Sequence, residues 1–150
     1  MSSRSGWPVW AILALLAAAC VPSGEPYRNA EAAVKEGRVQ LSLGEVERAV
    51  RAFTFATLKR PDDPIAHGYL GESLYRLGRA RQAETSLRRA VELDPALVPA
   101  WNNLGLVLLD TGRAREATRV LRRAYALDSG QTDAIRLNLA RAMEEGGDDV

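Results

Sequence analysis

Apolar residues recur at helical spacing along most of the chain. Leu70, Leu74 and Leu77 form one group, and Leu104 and Leu108 form another, with polar residues between them. Spacings of three and four residues place such side chains on one face of an α-helix. The pattern predicts a series of amphipathic helices, and we expect no strands.

A second pattern repeats every 34 residues. The segments LRRAVELDP at 87–95 and LRRAYALDS at 121–129 are nearly identical. A fixed period of this length indicates a repeat architecture in which each unit is one supersecondary element. Single residues keep the same spacing: Gly44, Gly78 and Gly112; Ala49, Ala83 and Ala117; Phe53, Leu87 and Leu121; and Ala56, Ala90 and Ala124.

Glycine and proline positions predict where the helices of each unit begin, end and meet. Asp63 before Pro64 is typical of an N-cap followed by proline at the first helical position. Glycine lacks a β-carbon, so it permits positive φ after a helix and close approach of a neighbouring helix. We expect the first role at Gly44, Gly78 and Gly112 and the second at Gly37, Gly71 and Gly105.

These features resemble the tetratricopeptide repeat (TPR) family, whose unit is a helix–turn–helix of this length. Residues 98–131 match it best, residues 64–97 match with His67 in the place of Trp101, and residues 30–63 match mainly in their second helix. The resemblance implies an all-α, helix-turn-helix solenoid of about three repeats. In residues 132–150 the pattern continues after a one-residue insertion, which predicts a capping helix at about Thr132–Glu145 and an acidic tail.

The first twenty residues predict export and anchoring. Residues 1–6 are polar and contain Arg4, residues 7–19 are apolar, and small residues precede Cys20. This order is typical of a secretory signal peptide, and the apolar run is shorter than the roughly 20 residues that span a bilayer. Small residues before a cysteine resemble the lipobox of bacterial lipoproteins, which implies cleavage after residue 19 and lipid on Cys20. An ordinary secretory signal with an incidental cysteine, and a retained anchor, are the alternatives.

Residues 20–29 predict an extended tether, because Pro22 and Pro26 oppose helix. In lipoprotein families an aspartate after the lipidated cysteine often signals retention in the inner membrane, and this chain has Val21 there. We therefore expect a lipid-anchored protein of the bacterial cell envelope, at the outer membrane and facing the periplasm.

Charge and chemistry exclude several classes of function. Arg4 is the only charged residue among the first nineteen, and the remainder holds 19 basic and 19 acidic side chains. A nucleic-acid-binding protein normally shows a basic excess, so we expect no nucleic-acid partner. One histidine and one cysteine cannot form a usual zinc site, and no catalytic constellation or phosphate loop is present. We expect no metal, no cofactor and no enzymatic activity.

Arginines on the second helices raise a separate possibility. Arg88-Arg89 and Arg122-Arg123 recur at the repeat period, and with other arginines they would form a basic ridge on the convex side. The alternative is a solvated face in which Glu84, Glu92 and Glu116 form local ion pairs. The other arginines of this ridge are Arg79, Arg81, Arg113, Arg115 and Arg119.

The resemblance also implies a binding groove, because the first helices of TPR units line a concave surface that holds a partner's peptide segment. Some TPR domains grip a C-terminal carboxylate there with basic residues and asparagine. Asn103 fits that clamp, but Val34 and Pro99 stand where basic residues are needed, so we do not expect it. The transferred groove positions are Arg38, Leu41, Tyr69, Glu72, Tyr75, Arg76, Asn102, Asn103, Leu106 and Leu109. For Leu106 and Leu109 the alternative is packing against the C-terminal helix.

The sequence thus predicts a membrane-anchored adaptor that binds a protein or peptide segment. Small lipoproteins with TPR repeats commonly serve multi-subunit envelope machines. By analogy we expect an assembly or stability factor for a type IV pilus or secretion channel. An adaptor for cell-wall enzymes, or a structural envelope protein that binds the lipid surface through the arginine ridge, are the alternatives.

Overall fold

A computed structural model describes residues 27–147, and this part of the chain is all-α. Its helices form three antiparallel pairs, α1 with α2, α3 with α4 and α5 with α6, and α7 packs against α6. The elements are α1 (Ala30–Ser42), α2 (Val46–Lys59), α3 (Pro64–Arg76), α4 (Ala80–Leu93), α5 (Val98–Asp110), α6 (Ala114–Asp128) and α7 (Asp133–Gly146). We call α1, α3, α5 and α7 the first helices, and α2, α4 and α6 the second helices.

The predicted signals set the ends of the helices. The Asp63 carboxylate accepts hydrogen bonds from the backbone N–H groups of Ile65 and Ala66, at 3.0 and 3.1 Å, and caps α3. The first helices end identically in each pair: the N–H after the glycine donates to a carbonyl five residues back, at 2.8 to 2.9 Å. These glycines all have positive φ, as predicted: Gly44 77°, Gly78 71° and Gly112 74°.

The second glycine of each unit brings the two helices of a pair together. A β-carbon on Gly37 would lie 2.8 Å from the Phe53 ring, and one on Gly71 would lie 2.5 Å from Leu87 Cγ. A β-carbon on Gly105 would likewise collide with Leu121. Phe53, Leu87 and Leu121 occupy one position of the 34-residue period, and all three are fully buried. The predicted close approach is confirmed in every pair.

His67 and Trp101 perform the same structural task in successive repeats. The indole N–H of Trp101 donates to the carbonyl oxygen of Pro95 at 3.0 Å. The Nε2–H of His67 donates to the carbonyl oxygen of Pro61, also at 3.0 Å and also six residues earlier. The shared hydrogen bond explains how histidine can stand in the place of tryptophan in this repeat.

The two ends of the described chain differ from the predicted boundaries in detail. Tyr27 packs on Phe55, with 5.3 Å between ring centroids, and Asn29 caps α1 by accepting from the N–H of Ala32 at 2.8 Å. The end of the predicted 20–29 tether is therefore part of the folded unit. At the other end the capping helix is α7, which buries Ile135 and Ala142 and stops before Gly147, at φ 69°.

The predicted signal peptide 1–19, Cys20 and the residues after Gly147 lie outside the described part of the chain. Within residues 27–147 no helix combines the length and the apolar character needed to cross a membrane.

Candidate functional site: an inner groove with an apolar pocket

The first helices line the inner side of the solenoid. Successive first helices touch one another, α1 with α3, α3 with α5 and α5 with α7. Within the described residues the second helices α2, α4 and α6 do not touch each other in this way. Successive repeats therefore approach each other more closely along the first helices than along the second, which makes that side concave. We call this side the inner groove and the opposite side the outer face.

A pocket of about 180 Å³ opens in the inner groove between α3 and α5. Its lining is mostly apolar, and Glu72 is the single charged residue in it. A cavity of about 150 Å³ can hold a benzene ring, so this volume suits one aliphatic or aromatic side chain. The lining residues are Ile65, Gly68, Tyr69, Glu72, Leu97, Pro99, Ala100 and Asn103.

Aromatic packing fixes the wall that Tyr69 contributes. Its ring stacks on Phe53 with a centroid distance of 5.2 Å and an interplanar angle of 10°. The Arg38 guanidinium lies over the same Tyr69 ring, 5.6 Å from its centroid. Gly68 has no side chain to fill the floor of the pocket. A β-carbon at this position would lie 3.5 Å from Leu97 Cδ2, which is an ordinary van der Waals contact. The pocket is thus preformed by rigid groups, which lowers the entropic cost of binding.

A polar cluster joins α3, α5 and α7 further along the groove. The hydroxyl of Tyr75 donates to Asp110 Oδ2 at 2.5 Å, and Arg141 lies 3.5 Å from the same carboxylate. Burial, followed by the hydrogen bond and charge of Asp110, raises the pKa of Tyr75 to about 12. The Asn138 amide N–H donates to the Asn102 side-chain oxygen at 2.9 Å. The cluster holds the capping helix in register with the groove.

The structure brings most of the predicted groove residues together. Tyr69, Glu72 and Asn103 line the pocket, Tyr75 and Asn102 belong to the polar cluster, and Arg38 covers the Tyr69 ring. Arg76 is exposed, and its guanidinium donates to Glu72 at 2.6 Å. Leu106 is half-buried.

Two predicted groove residues lie in the core instead. Leu41 is 8% exposed and packs with Ala49 and Phe53, whereas Leu109 is 3% exposed within the main core. Each sits on the flank of its helix that meets neighbouring helices, so it has little surface to offer a peptide. For Leu109, packing was the alternative that the sequence left open.

Sequence reasoning missed parts of the groove that come from outside the first helices of the three repeats. Leu97 enters the pocket from the loop before α5. Asn138 and Arg141 come from α7. The one-residue offset that aligns Leu139 with Leu104 also aligns Asn138 with Asn103, and that signal was enough to place Asn138 in the groove.

Ion pairs neutralise part of the predicted basic ridge, on α4 and at the start of α6. Arg88 pairs with Glu84 at 3.0 Å and with Glu116 at 2.5 Å, and Arg113 pairs with both of these carboxylates. Hydrogen bonding from Arg113 lowers the pKa of Glu84 below its ordinary value. This network ties α4 to α6 across the outer face, as the alternative of local ion pairs predicted. No group of three or more His, Cys, Asp or Glu side chains in residues 27–147 is arranged to hold a metal.

Comparison with known proteins agrees with this geometry. The profile of the family described as tetratricopeptide repeat matches residues 34–98 and 70–134. No curated protein matches the chain. The chain shares its fold with many solved structures, three of which are described next.

The first TPR of Spaghetti (RPAP3), solved with the HSP90 peptide SRMEEVD, has a TM-score of 0.76 at 18% identity, covering 80% of this chain and 94% of that one. The TPR2B domain of yeast Sti1, solved as an Hsp70 complex, has a TM-score of 0.72 at 21% identity, covering 77% and 97%. MamA has a TM-score of 0.74 at 22% identity, covering 79% and 64%. At these identities the similarity concerns the fold.

Proposed function

The chain belongs to the tetratricopeptide repeat family, and on that premise we propose that it is a membrane-anchored adaptor of the bacterial envelope. Its inner groove binds an extended segment of a partner protein. The single observation that carries this proposal is the mostly apolar pocket between α3 and α5.

The chemistry of the pocket defines the partner segment. Apolar walls from Ile65, Leu97 and Ala100 favour an aliphatic or aromatic side chain, and Asn103 offers its amide to the peptide backbone. Two TPR neighbours were solved with peptides that end in acidic residues, the HSP90 peptide SRMEEVD and the HSP70 peptide SGPTIEEVD. Here the lining of the pocket contains no cation, and its one carboxylate, Glu72, already pairs with Arg76. We therefore expect an internal segment to bind, with its apolar side chain as the anchor.

The N-terminal sequence supports the anchored location. Cleavage before Cys20 would leave six residues between the lipidated cysteine and the folded unit, which begins at Tyr27. An extended chain gains about 3.3–3.6 Å per residue, so the groove stays within a few tens of ångströms of the headgroups. Two or more acyl chains give the stable attachment that one chain does not. The outer membrane, facing the periplasm, is the proposed location.

An envelope machine is the proposed client. An assembly or stability factor for a type IV pilus or secretion channel would hold a subunit segment close to the membrane, which a short neutral scaffold on a lipid anchor is suited to do. The alternative client is a cell-wall enzyme. Proteins that co-purify from solubilised membranes distinguish the two, because the first predicts pilus or secretin subunits and the second predicts murein enzymes.

Site-specific photocrosslinking tests the groove assignment. A crosslinking amino acid at Ile65 sits on the rim of the pocket, where the native side chain is 41% exposed. The same amino acid at Thr85, exposed on α4, is the matched outer-face control. We expect a discrete crosslinked partner from position 65 and none of the same size from position 85. Equal crosslinking from both positions would exclude the inner groove as the binding site.

Cys20→Ser tests the anchor separately. The variant should lose metabolic lipid labelling and should no longer follow the lipoprotein processing route, while its helicity stays unchanged. Unaltered lipid labelling would refute the assignment of Cys20.

A further inference from the structure

The outer face of α6 carries a stripe of arginines. Arg115, Arg119 and Arg122 are spaced four and three residues apart, which aligns them along one side of the helix, and Arg123 lies beside them. All four are exposed. We call these four residues the α6 arginine stripe.

Acidic partners are missing from this stripe. Within residues 27–147 no ion pair joins Arg115, Arg119, Arg122 or Arg123 to a carboxylate. Two acidic groups near the stripe pair with other arginines: Glu116 of α6 with Arg88 and Arg113, and Glu145 of α7 with Arg141. Glu144 of α7 is exposed and makes no ion pair in this part of the chain. Among the described residues, the side chains of the stripe make one polar contact, from Arg115 Nε to the Gly146 carbonyl oxygen at 3.5 Å.

This arrangement differs from that in α3, α4 and α7. Like charges three and four residues apart destabilise a helix, whereas opposite charges at that spacing stabilise it. The favourable arrangement occurs in α3 between Glu72 and Arg76, in α4 between Glu84 and Arg88, and in α7 between Arg141 and Glu145. The α6 stripe contains no such pair, so its four exposed guanidinium groups are available to an anionic surface.

We infer that the α6 arginine stripe docks on the anionic headgroups of the membrane to which the chain is anchored. This inference rests on the proposed lipid anchor, which keeps the folded unit within a short tether of the headgroups. Guanidinium groups bind phosphate oxygens in bidentate fashion, and basic side chains near an anionic bilayer are attracted to it. Because α6 lies on the outer face, docking there turns the inner groove away from the membrane and leaves it open to a partner.

A quenching experiment on the full-length lipidated protein tests the inference. Ala126→Cys places one labelling site on the stripe, four residues after Arg122 and exposed. The protein carries a fluorescent label and is reconstituted into phosphatidylcholine vesicles that contain a nitroxide-headgroup lipid as the quencher. One set of vesicles also contains about 30% phosphatidylglycerol, which makes the surface anionic. Lipid on Cys20 blocks that thiol, so one label per chain confirms the anchor independently of docking.

Two charge-matched variants serve as the comparison. Arg119→Gln/Arg122→Gln/Arg123→Gln removes three charges from the stripe, and Arg48→Gln/Arg51→Gln/Arg60→Gln removes three from around α2. At about fivefold per arginine, the first variant lowers the surface-association constant roughly a hundredfold. We expect quenching that needs phosphatidylglycerol, is lost in the stripe variant and is retained in the α2 variant.

Quenching that is the same with and without phosphatidylglycerol overturns the inference, and so does equal loss in both variants. If quenching does not depend on phosphatidylglycerol while the chain carries one label, the lipid anchor stands and only the docking inference fails. Two labels per chain would instead show that Cys20 is free, which refutes the anchor and with it the premise of the inference.

Discussion

Two glycines in one helix should respond in opposite directions to the same substitution. Gly68 and Gly71 both lie in α3, and neither has positive φ. In Gly68→Ala the new β-carbon meets Leu97 Cδ2 at 3.5 Å, an ordinary contact. In Gly71→Ala it would lie 2.5 Å from Leu87 Cγ and 3.2 Å from the Ala83 backbone oxygen, which cannot move without displacing α4.

The magnitudes follow from these distances. Alanine is about 0.8–1.0 kcal/mol better than glycine in a helix interior, so Gly68→Ala should stabilise the fold by up to that amount. Overpacking costs about 1–3 kcal/mol, which outweighs the same gain in Gly71→Ala and leaves a net loss of about 1 kcal/mol. For a domain of this size each kcal/mol shifts Tm by about 3–5 °C. The two variants should therefore melt about 6–10 °C apart, Gly68→Ala above wild type and Gly71→Ala below it.

Thermal and urea unfolding, followed by circular dichroism at the helical band, measure this difference. The two variants are each other's controls, because residue type, helix and substitution are the same. An increase in Tm for both would refute the claim that Gly71 sets the approach of α3 and α4. A decrease for both would show that the floor of the pocket is more tightly packed than the 3.5 Å contact implies.

Three further outcomes are expected. Leu109→Ala should lower the free energy of unfolding by about 2–5 kcal/mol in chemical denaturation, because the side chain is buried in the main core. A loss below about 1 kcal/mol would show that Leu109 lies on the groove surface instead. The Tyr75 phenol should titrate near pH 12 by absorbance, so that its contribution to stability is present below pH 10 and lost as pH rises toward 12; a titration near pH 10 would contradict the hydrogen bond to Asp110. The peptide SRMEEVD should bind no better than its C-terminal amide in a fluorescence anisotropy titration, because no cation lines the pocket; a clear preference for the free acid would reveal a carboxylate clamp.

Repetition made the fold predictable. Each of the three glycines before a second helix has the positive φ that its place in the 34-residue period required. Phe53 and Leu87 occupy one position of that period and meet a glycine of the paired helix. Local signals such as the Asp63 cap need only neighbouring residues, so they too could be read directly from the sequence.

The groove was less predictable because its shape depends on contacts between units. Which flank of a first helix faces the groove follows from the superhelical twist, and this is why Leu41 and Leu109 lie in the core. Leu97 reaches the pocket from a connecting loop, where helical periodicity carries no information. The pairing of Arg88 with Glu116 joins residues 28 apart in sequence, and only the stacking of successive repeats brings the two side chains together.

The central claim is that the pocket between α3 and α5 recruits a partner to the membrane. Quantitative affinity purification of the full-length chain from detergent-solubilised membranes tests it most directly, with wild type, Gly68→Leu and Thr85→Leu in parallel. Gly68→Leu fills the pocket, and Thr85→Leu adds the same apolar bulk to the outer face. We predict that envelope proteins recovered with wild type and with Thr85→Leu fall at least about tenfold with Gly68→Leu, a loss of about 1.4 kcal/mol or more. Equal recovery with all three chains of comparable Tm would contradict the account.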